Sequence, residues 1–244
     1  MTLAVDWHGS NLAGWFVSEK IFDCRAYWSE GEFWTRAGNL IKAPKWFKRG
    51  MPKHDVDGGI YAGRKGFQAA SNATRFGGKW FDEPGLEFVA FDFPGMEATW
   101  DKRIREAARA LKQSAVGRAV DFFQIAPDCK SYRQLTEFLL KLRPLGGEGA
   151  CMRNPEIKTY ETGRSENLLR FKFDNPFADF LTSGREAKCR EAARHRAESA
   201  RPAVGFDVSR LPYDAEIEYN ISAILDGAGD FSLLTKRGRR ALLA

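Results

Sequence analysis

The most constraining stretch of the sequence is 18–28, in which charged and aromatic residues alternate closely (Ser-Glu-Lys-Ile-Phe-Asp-Cys-Arg-Ala-Tyr-Trp). It follows an apolar run, Trp15-Phe16-Val17, that is typical of a buried strand. Lys20 therefore stands at the end of an apolar segment, with Arg25 close behind it. A lysine amine becomes a nucleophile when desolvation and neighbouring cations favour loss of its proton. The stretch makes Lys20 a candidate nucleophile, although a lone lysine at a strand end is ordinarily a surface residue.

The length of 244 residues suits one large domain, or a medium domain with a small appendage. No apolar run approaches the roughly 20 residues needed to cross a bilayer, and residues 1–14 lack the pattern of a signal peptide. We therefore expect a cytoplasmic protein without a membrane partner. The net charge of +6 suggests a polyanionic partner.

Cysteine and histidine, the residues that usually bind zinc, are scattered along the chain. The 4 cysteines include no CxxC pair, and the 3 histidines are equally dispersed. This spacing excludes the usual zinc ribbon and gives no disulfide framework. Any metal is expected to be held by carboxylates and phosphates, as Mg²⁺ is.

Short strands and helices are both predicted along the chain, and we expect the α+β fold class. Two aromatic runs separated by Ser29-Glu30-Gly31 predict a hairpin. Further strands are predicted at 56–61, 86–93, 120–125, 146–153 and 168–173, and helices at 66–75, 100–112 and 131–142.

Basic and apolar residues alternate in the run Leu168–Phe173, which places Arg170 and Lys172 on one face of a strand. Two neighbouring cations repel each other unless an anion lies opposite. The pattern fits either a solvated edge strand or a clamp for a phosphate.

Composition changes after Phe173, and we place a domain boundary near Asp174. Residues 185–201 are rich in alanine, arginine and glutamate and are predicted to be helical, 216–225 is predicted to be a strand, and the chain ends in a basic segment.

Seven motifs in order make the chain resemble the ATP-dependent DNA ligases, especially the small bacterial and phage-type enzymes of the nucleotidyltransferase superfamily. The resemblance covers roughly residues 15–173, and 205–240 more faintly. The motifs are Ser18-Glu19-Lys20 with Arg25-Ala26-Tyr27-Trp28, Thr35-Arg36-Ala37-Gly38-Asn39, Ala43-Pro44-Lys45-Trp46-Phe47, Asp57-Gly58-Gly59-Ile60-Tyr61-Ala62-Gly63-Arg64, Phe91-Asp92-Phe93-Pro94, Gly146-Gly147-Glu148-Gly149, and Tyr160-Glu161-Thr162-Gly163-Arg164-Ser165 leading to Leu168-Leu169-Arg170-Phe171-Lys172.

The resemblance implies a nucleotidyltransferase (ATP-grasp-like adenylation) domain over 1–173, made of antiparallel sheets with flanking helices. A short OB-fold-like β domain over 174–244 would follow, truncated or altered, and would close over DNA. It also implies a monomer in a bacterial or phage-infected cell, acting in DNA repair or replication.

The resemblance implies that Lys20 attacks the α-phosphate of ATP and carries AMP, which then passes to the 5′-phosphate of a nick in double-stranded DNA, with Mg²⁺ or Mn²⁺ as the metal. Arg170 and Lys172 would hold the α-phosphate, and Glu148 would support the metal. The implied nucleotide contacts are Glu19, Arg25, Arg36, Phe91 (stacked on adenine) and Lys172. The implied DNA contacts are Arg36, Asn39, Arg237, Arg239 and Arg240.

Two departures from the family pattern concern carboxylates. The family has Asp and then Gly at the second and third places after the lysine, where this chain has Phe22 and Asp23. Either Phe22 replaces the family's Asp, or Asp23 is that Asp displaced by one place with a bulge that corrects its direction. The family also often has glutamate, contacting ribose or the metal, where Gly59 stands.

Three functions are therefore compatible with the sequence. The first is an active DNA ligase, favoured by the motifs around Arg25 and Thr35. The second is a related RNA ligase or capping-type nucleotidyltransferase. The third, suggested by the two departures, is a degenerate ligase fold that binds nicks or DNA ends without joining them.

Binding to a nicked duplex should weaken steeply as salt rises, because lysine and arginine side chains that bind phosphates release condensed counterions. Replacing Arg239 and Arg240 with alanine should flatten the log–log salt slope by about 0.9 for each phosphate that the protein no longer neutralises. Fluorescence anisotropy across a salt series measures this slope. An unchanged slope would mean that the basic end is only solvated.

Overall fold

The structure is a computed structural model that describes residues 1–128 and 132–174. These residues form strands and helices in the order β1 (Thr2–Asp6), β2 (Phe16–Lys20), β3 (Cys24–Ser29), β4 (Glu32–Thr35), β5 (Leu40–Ile41), α1 (Lys45–Lys48), β6 (Val56–Tyr61), α2 (Phe67–Phe76), β7 (Glu87–Asp92), α3 (Trp100–Ala110), β8 (Gly117–Ala119), β9 (Phe122–Gln124), α4 (Arg133–Leu142), β10 (Gly149–Arg153) and β11 (Gly163–Lys172).

The first sheet has the strand order β1-β11-β10-β2-β9. Its strands pair antiparallel except for β1, which runs parallel to β11. Gly149 of β10 pairs with Lys20 on one side and with Lys172 on the other. Because paired residues share a face, both lysines lie on the same side of the sheet. The opposite side is buried in a core that includes α4, formed by Val17, Leu135, Leu139, Ala150, Met152, Leu169 and Phe171 among others.

The second sheet has the strand order β5-β4-β3-β6-β7-β8, with only β7 and β8 parallel. It carries the larger core, to which α2 and α3 contribute their apolar faces. Aromatic rings dominate this core; for example, the ring centres of Phe33 and Phe88 lie 5.1 Å apart. Burial of several such rings supplies much of the hydrophobic driving force for folding.

The chain crosses between the two sheets immediately after Lys20. β2 ends there, and β3 begins in the other sheet at Cys24. The intervening turn is tight, with the Asp23 amide donating to the Ile21 carbonyl at 3.1 Å. The candidate nucleophile therefore lies at the junction of the sheets.

The α+β class with mainly antiparallel sheets is confirmed, as are the hairpin at 24–35 and the helices that begin near Phe67 and Trp100. The strand expected at 120–125 corresponds to β9, which is shorter and spans Phe122–Gln124. β9 is preceded by an additional strand, β8 (Gly117–Ala119), which belongs to the other sheet, so the chain crosses between the sheets a second time at Val120 and Asp121. β1 was not predicted.

Several predictions lie outside the described residues. These are the OB-fold-like domain apart from Asp174, and with it Arg237, Arg239 and Arg240. The domain boundary near Asp174 and the monomeric state stay predictions. Within 1–128 and 132–174, no helix has the length and apolarity to cross a membrane.

Gly149→Ala should destabilise the protein strongly. Its φ is +149°, and an added Cβ would lie 1.9 Å from the Phe171 carbonyl oxygen. We expect a loss of roughly 2–4 kcal/mol in the free energy of unfolding, measured by chemical denaturation. Gly146→Ala is the matched control. That glycine also has a positive φ, of +76°, but nothing lies within 4 Å of an added Cβ, so its loss should be about 1 kcal/mol. Equal losses would contradict the steric explanation.

Candidate active site

Lys20 and Lys172 converge on one carboxylate. The Lys20 ammonium contacts Glu148, and the Lys172 Nζ lies 3.5 Å from the same Glu148 Oε1. The Lys20 side chain is 21% exposed, so it is shielded by protein yet open to a ligand. Glu148 reaches both lysines because it directly precedes Gly149, which pairs with each of them. The structure thus brings together three residues predicted from separate motifs.

Arg170 lies on the same face as Lys172 but has a different partner. Its Nε donates to Asp6 Oδ1 at 2.7 Å, and this hydrogen bond lowers the pKa of Asp6. β11 lies between β10 and β1 and is not an edge strand. The solvated-edge interpretation of this segment is therefore wrong, and the phosphate-clamp interpretation stays a prediction.

Arg25 is anchored by Asp57. Its guanidinium donates to both Asp57 oxygens, with Nε to Oδ1 at 2.8 Å, and the Tyr160 hydroxyl donates to Oδ2 at 2.8 Å. Burial and then the Asp57 charge raise the pKa of Tyr160, so the hydroxyl remains protonated as a donor. The Arg25 guanidinium also lies 5.3 Å from the centre of the Phe91 ring. Arg25 and Phe91, predicted as nucleotide contacts, are thus adjacent.

Asp57 and Tyr160 belong to the motifs but were assigned no role from the sequence. The signal that could have identified Asp57 is the register of the predicted strands, since Tyr27 pairs with Asp57 and Arg25 lies two residues away on the same face. Tyr160 reaches Asp57 from 103 residues further along the chain. No local pattern predicts such a contact.

Glu19 lies on the face of β2 opposite to Lys20, since side chains alternate along a strand. Arg64 donates to both of its carboxylate oxygens, at 2.9 and 2.8 Å. A nucleotide contact from Glu19 would compete with this ion pair. The nucleotide contact of Glu19 stays a prediction.

Arg36 and Asn39 are exposed on the turn between β4 and β5. The turn is held by Thr35, whose hydroxyl accepts from the Asn39 amide at 3.1 Å. Thr35 pairs with Ala26, so Arg36 leaves the second sheet at the same end as Arg25. Arg36 and Asn39 are therefore accessible to a large partner near the junction of the sheets.

Asp23 lies over Gly59 of the neighbouring sheet strand. Arg25 pairs with Gly59, and a Cβ built on Gly59 would lie 2.1 Å from Asp23 Oδ2. Burial raises the pKa of Asp23 to about 6, and the charges of Arg25 and Lys20 limit the increase. Within the described residues, no group of three His, Cys, Asp or Glu side chains could hold a metal.

A small cavity lies beside Arg25. It is about 30 Å³ in volume, and its lining includes Arg25, Asp57, Arg103 and Arg153 but not Lys20. Because Lys20, Glu148 and Lys172 do not line this cavity, the candidate nucleotide site lies around Lys20 and Glu148 and not in the cavity.

Asp23→Asn should change how stability depends on pH. Because the pKa of Asp23 is raised from 3.8 to about 6 in the folded state, the stabilising contribution of the protonated acid is present below about pH 4 and is lost as pH rises to about 6. Between pH 4 and pH 7, the free energy of unfolding of the variant should rise relative to that of wild type by on the order of 2 kcal/mol. Urea denaturation at several pH values measures the difference. Parallel stability profiles for the two proteins would contradict the raised pKa.

Comparisons with known proteins place this site in context. No family model matches the chain. A DNA ligase of Haemophilus influenzae is 29% identical over 164 residues, which are 66% of this chain and 59% of the relative. The chain thus spans less than two thirds of the length of this curated relative.

Among solved structures, a Lig E DNA ligase matches with a TM-score of 0.60 and 28% identity, over 70% of this chain and 68% of that one. Chlorella virus DNA ligase-adenylate matches with a TM-score of 0.58 and 18% identity, over 70% and 66%. The bacteriophage T7 ATP-dependent DNA ligase in complex with ATP has a TM-score of 0.52 and 14% identity, over 71% and 68%. In sequence and in fold the chain is therefore similar to small ATP-dependent DNA ligases, and its described part has their nucleotidyltransferase fold.

Proposed function

We propose that this protein is an ATP-dependent DNA ligase that seals nicks in duplex DNA through a covalent lysyl-AMP intermediate. The observation that carries the proposal is the convergence of Lys20 and Lys172 on Glu148. Support comes from the similar proteins, which are DNA ligases and include one in complex with ATP and one as the adenylate.

Lys20 is the nucleophile in this proposal. Its Nζ attacks the α-phosphorus of ATP, a nitrogen–phosphorus bond forms, and the bond to the departing pyrophosphate breaks. Phosphoryl transfer depends mainly on positioning and on cationic stabilisation of the spreading negative charge. Lys172 lies beside Lys20 and supplies such a charge, and Arg170 supplies a second one if its contact with Asp6 is shared with the phosphate.

Lys20 must lose a proton to attack. Glu148 would hold Mg²⁺ or Mn²⁺, which would supply positive charge beside the phosphates. The proton leaves to solvent, to which the Lys20 side chain is 21% exposed. Glu148 fits this role because Mg²⁺ typically takes one or two carboxylates and completes its ligands with phosphate oxygens and water.

The adenine base is proposed to stack on the ring of Phe91. Asp57 holds Arg25 against that ring. In the later steps AMP passes to the 5′-phosphate of the nick and is displaced by the 3′-hydroxyl. Arg36 and Asn39 are exposed at the sheet end where Arg25 lies and would contact the duplex. The protein is proposed to act as a monomer.

Lys20→Ala should abolish covalent adenylation. Intact-mass spectrometry after incubation with ATP and Mg²⁺ should show one added AMP in wild type and none in the variant, because the nitrogen that forms the bond is gone. Lys102→Ala is the matched control, since Lys102 is an exposed lysine on α3, and it should be adenylated like wild type.

Two results would overturn parts of this proposal. An adduct that persists in Lys20→Ala would move the nucleophile to another residue. If wild type forms no adduct even when the pyrophosphate product is removed, but still binds nicked duplex, the result would favour the non-joining DNA-binding function.

A further inference from the structure

The two departures from the family pattern meet in space. Asp23 stands three residues after the candidate nucleophile, where the pattern has glycine. Gly59 stands on β6, where the pattern often has glutamate. In the structure the Asp23 side chain covers the position that a side chain on Gly59 would occupy. The Cγ and Cβ of Asp23 lie 2.6 and 2.8 Å from a Cβ built on Gly59.

This arrangement makes each residue depend on the other. A Cβ atom essentially never lies within 3.0 Å of a non-bonded heavy atom. No residue except glycine therefore fits at position 59 while Asp23 keeps its position. Conversely, the absence of a side chain at 59 leaves the space that the Asp23 carboxylate fills. Gly59 has no positive φ, so the backbone conformation does not by itself require glycine there.

We propose that Asp23 supplies, from the β2–β3 turn, the carboxylate that residue 59 supplies in the family pattern. The two departures are then one exchange of a carboxylate between neighbouring segments. The motif is rearranged and not degraded, and Asp23 is a binding residue for ATP.

The position of Asp23 indicates which part of ATP it would bind. Its charge interacts with Arg25, which lies against the Phe91 ring, and with Lys20. In the proposed function Phe91 holds the base and Lys20 faces the α-phosphate. The ribose connects the base to that phosphate, so Asp23 lies where its carboxylate can accept hydrogen bonds from the ribose hydroxyls. This step rests on the proposed function.

The exchange itself can be tested by measuring protein stability, which does not depend on enzymatic activity. Gly59→Ala should lower the melting temperature by several degrees in the wild-type background, because the new Cβ collides with Asp23. In an Asp23→Gly background the same substitution should cost much less. A cost that is equal in the two backgrounds would show that Asp23 does not occupy the space over Gly59 and would overturn the inference.

The ligand role is tested by nucleotide preference, measured by calorimetry with ATP and with 2′,3′-dideoxy-ATP in a Lys20→Ala background, where no covalent step follows. Asp23→Asn keeps the shape of the side chain and removes its charge. It should reduce the preference for ATP over the dideoxy analogue about 10-fold or more, because the variant no longer offers the ribose a charged acceptor. Asp23→Gly should do the same.

The double variant Asp23→Gly/Gly59→Glu should recover the preference, since it returns a carboxylate to this region from the other strand. Asp23→Gly/Gly59→Gln is the matched uncharged control and should not recover it. If the Lys20→Ala parent prefers ATP but the added Asp23→Asn substitution leaves the preference intact, the inference is wrong and the proposed ligase function stands. If wild type does not bind ATP at all, the proposed function and the ribose role both fail.

Discussion

The arrangement around Glu148 is the electrostatic constraint on which the candidate site depends. Lys20 and Lys172 stand two strands apart on one face of the first sheet, on either side of Gly149. Two cations held this close and partly shielded from water repel each other by several kcal/mol at an effective dielectric constant near 20. Glu148 relieves this repulsion in the free protein, and the phosphates of a nucleotide would relieve it in the complex. The same geometry therefore stabilises the free protein and is suited to a polyanionic ligand.

The register of β10 is what maintains this geometry, and it depends on a close approach of backbones at Gly149. A slip of β10 by one residue would turn its side chains over, so that Ala150 and Met152 would leave the core and Arg153 would enter it. Burying an unpaired guanidinium there would cost far more than any gain from alternative pairing. The apolar face of the first sheet thus fixes the direction of the face that carries the candidate nucleophile.

Local features of the fold and site could be predicted from the sequence, and long-range ones could not. The hairpin of β3 and β4 and the shared face of Arg170 and Lys172 follow from period-two patterns over a few residues. The pairing of β1 with β11 brings Asp6 to Arg170 across 164 residues, and no local pattern encodes that contact. The relation of Asp23 to Gly59 is of the same kind, because the two residues belong to separate motifs on different segments. Two departures that each suggested a weakened site are thereby connected by one contact.

Stability and function are opposed at Asp23. Burial disfavours its ionised form, as the raised pKa of about 6 shows, so at neutral pH the carboxylate costs folding free energy. An asparagine of the same shape would avoid that cost while filling the same space over Gly59. Groups that destabilise the free protein are characteristic of binding and catalytic sites, where the cost is offset when the ligand is bound. The charge on Asp23 is therefore better explained by a ligand than by the fold, since packing against Gly59 needs only the shape of the side chain.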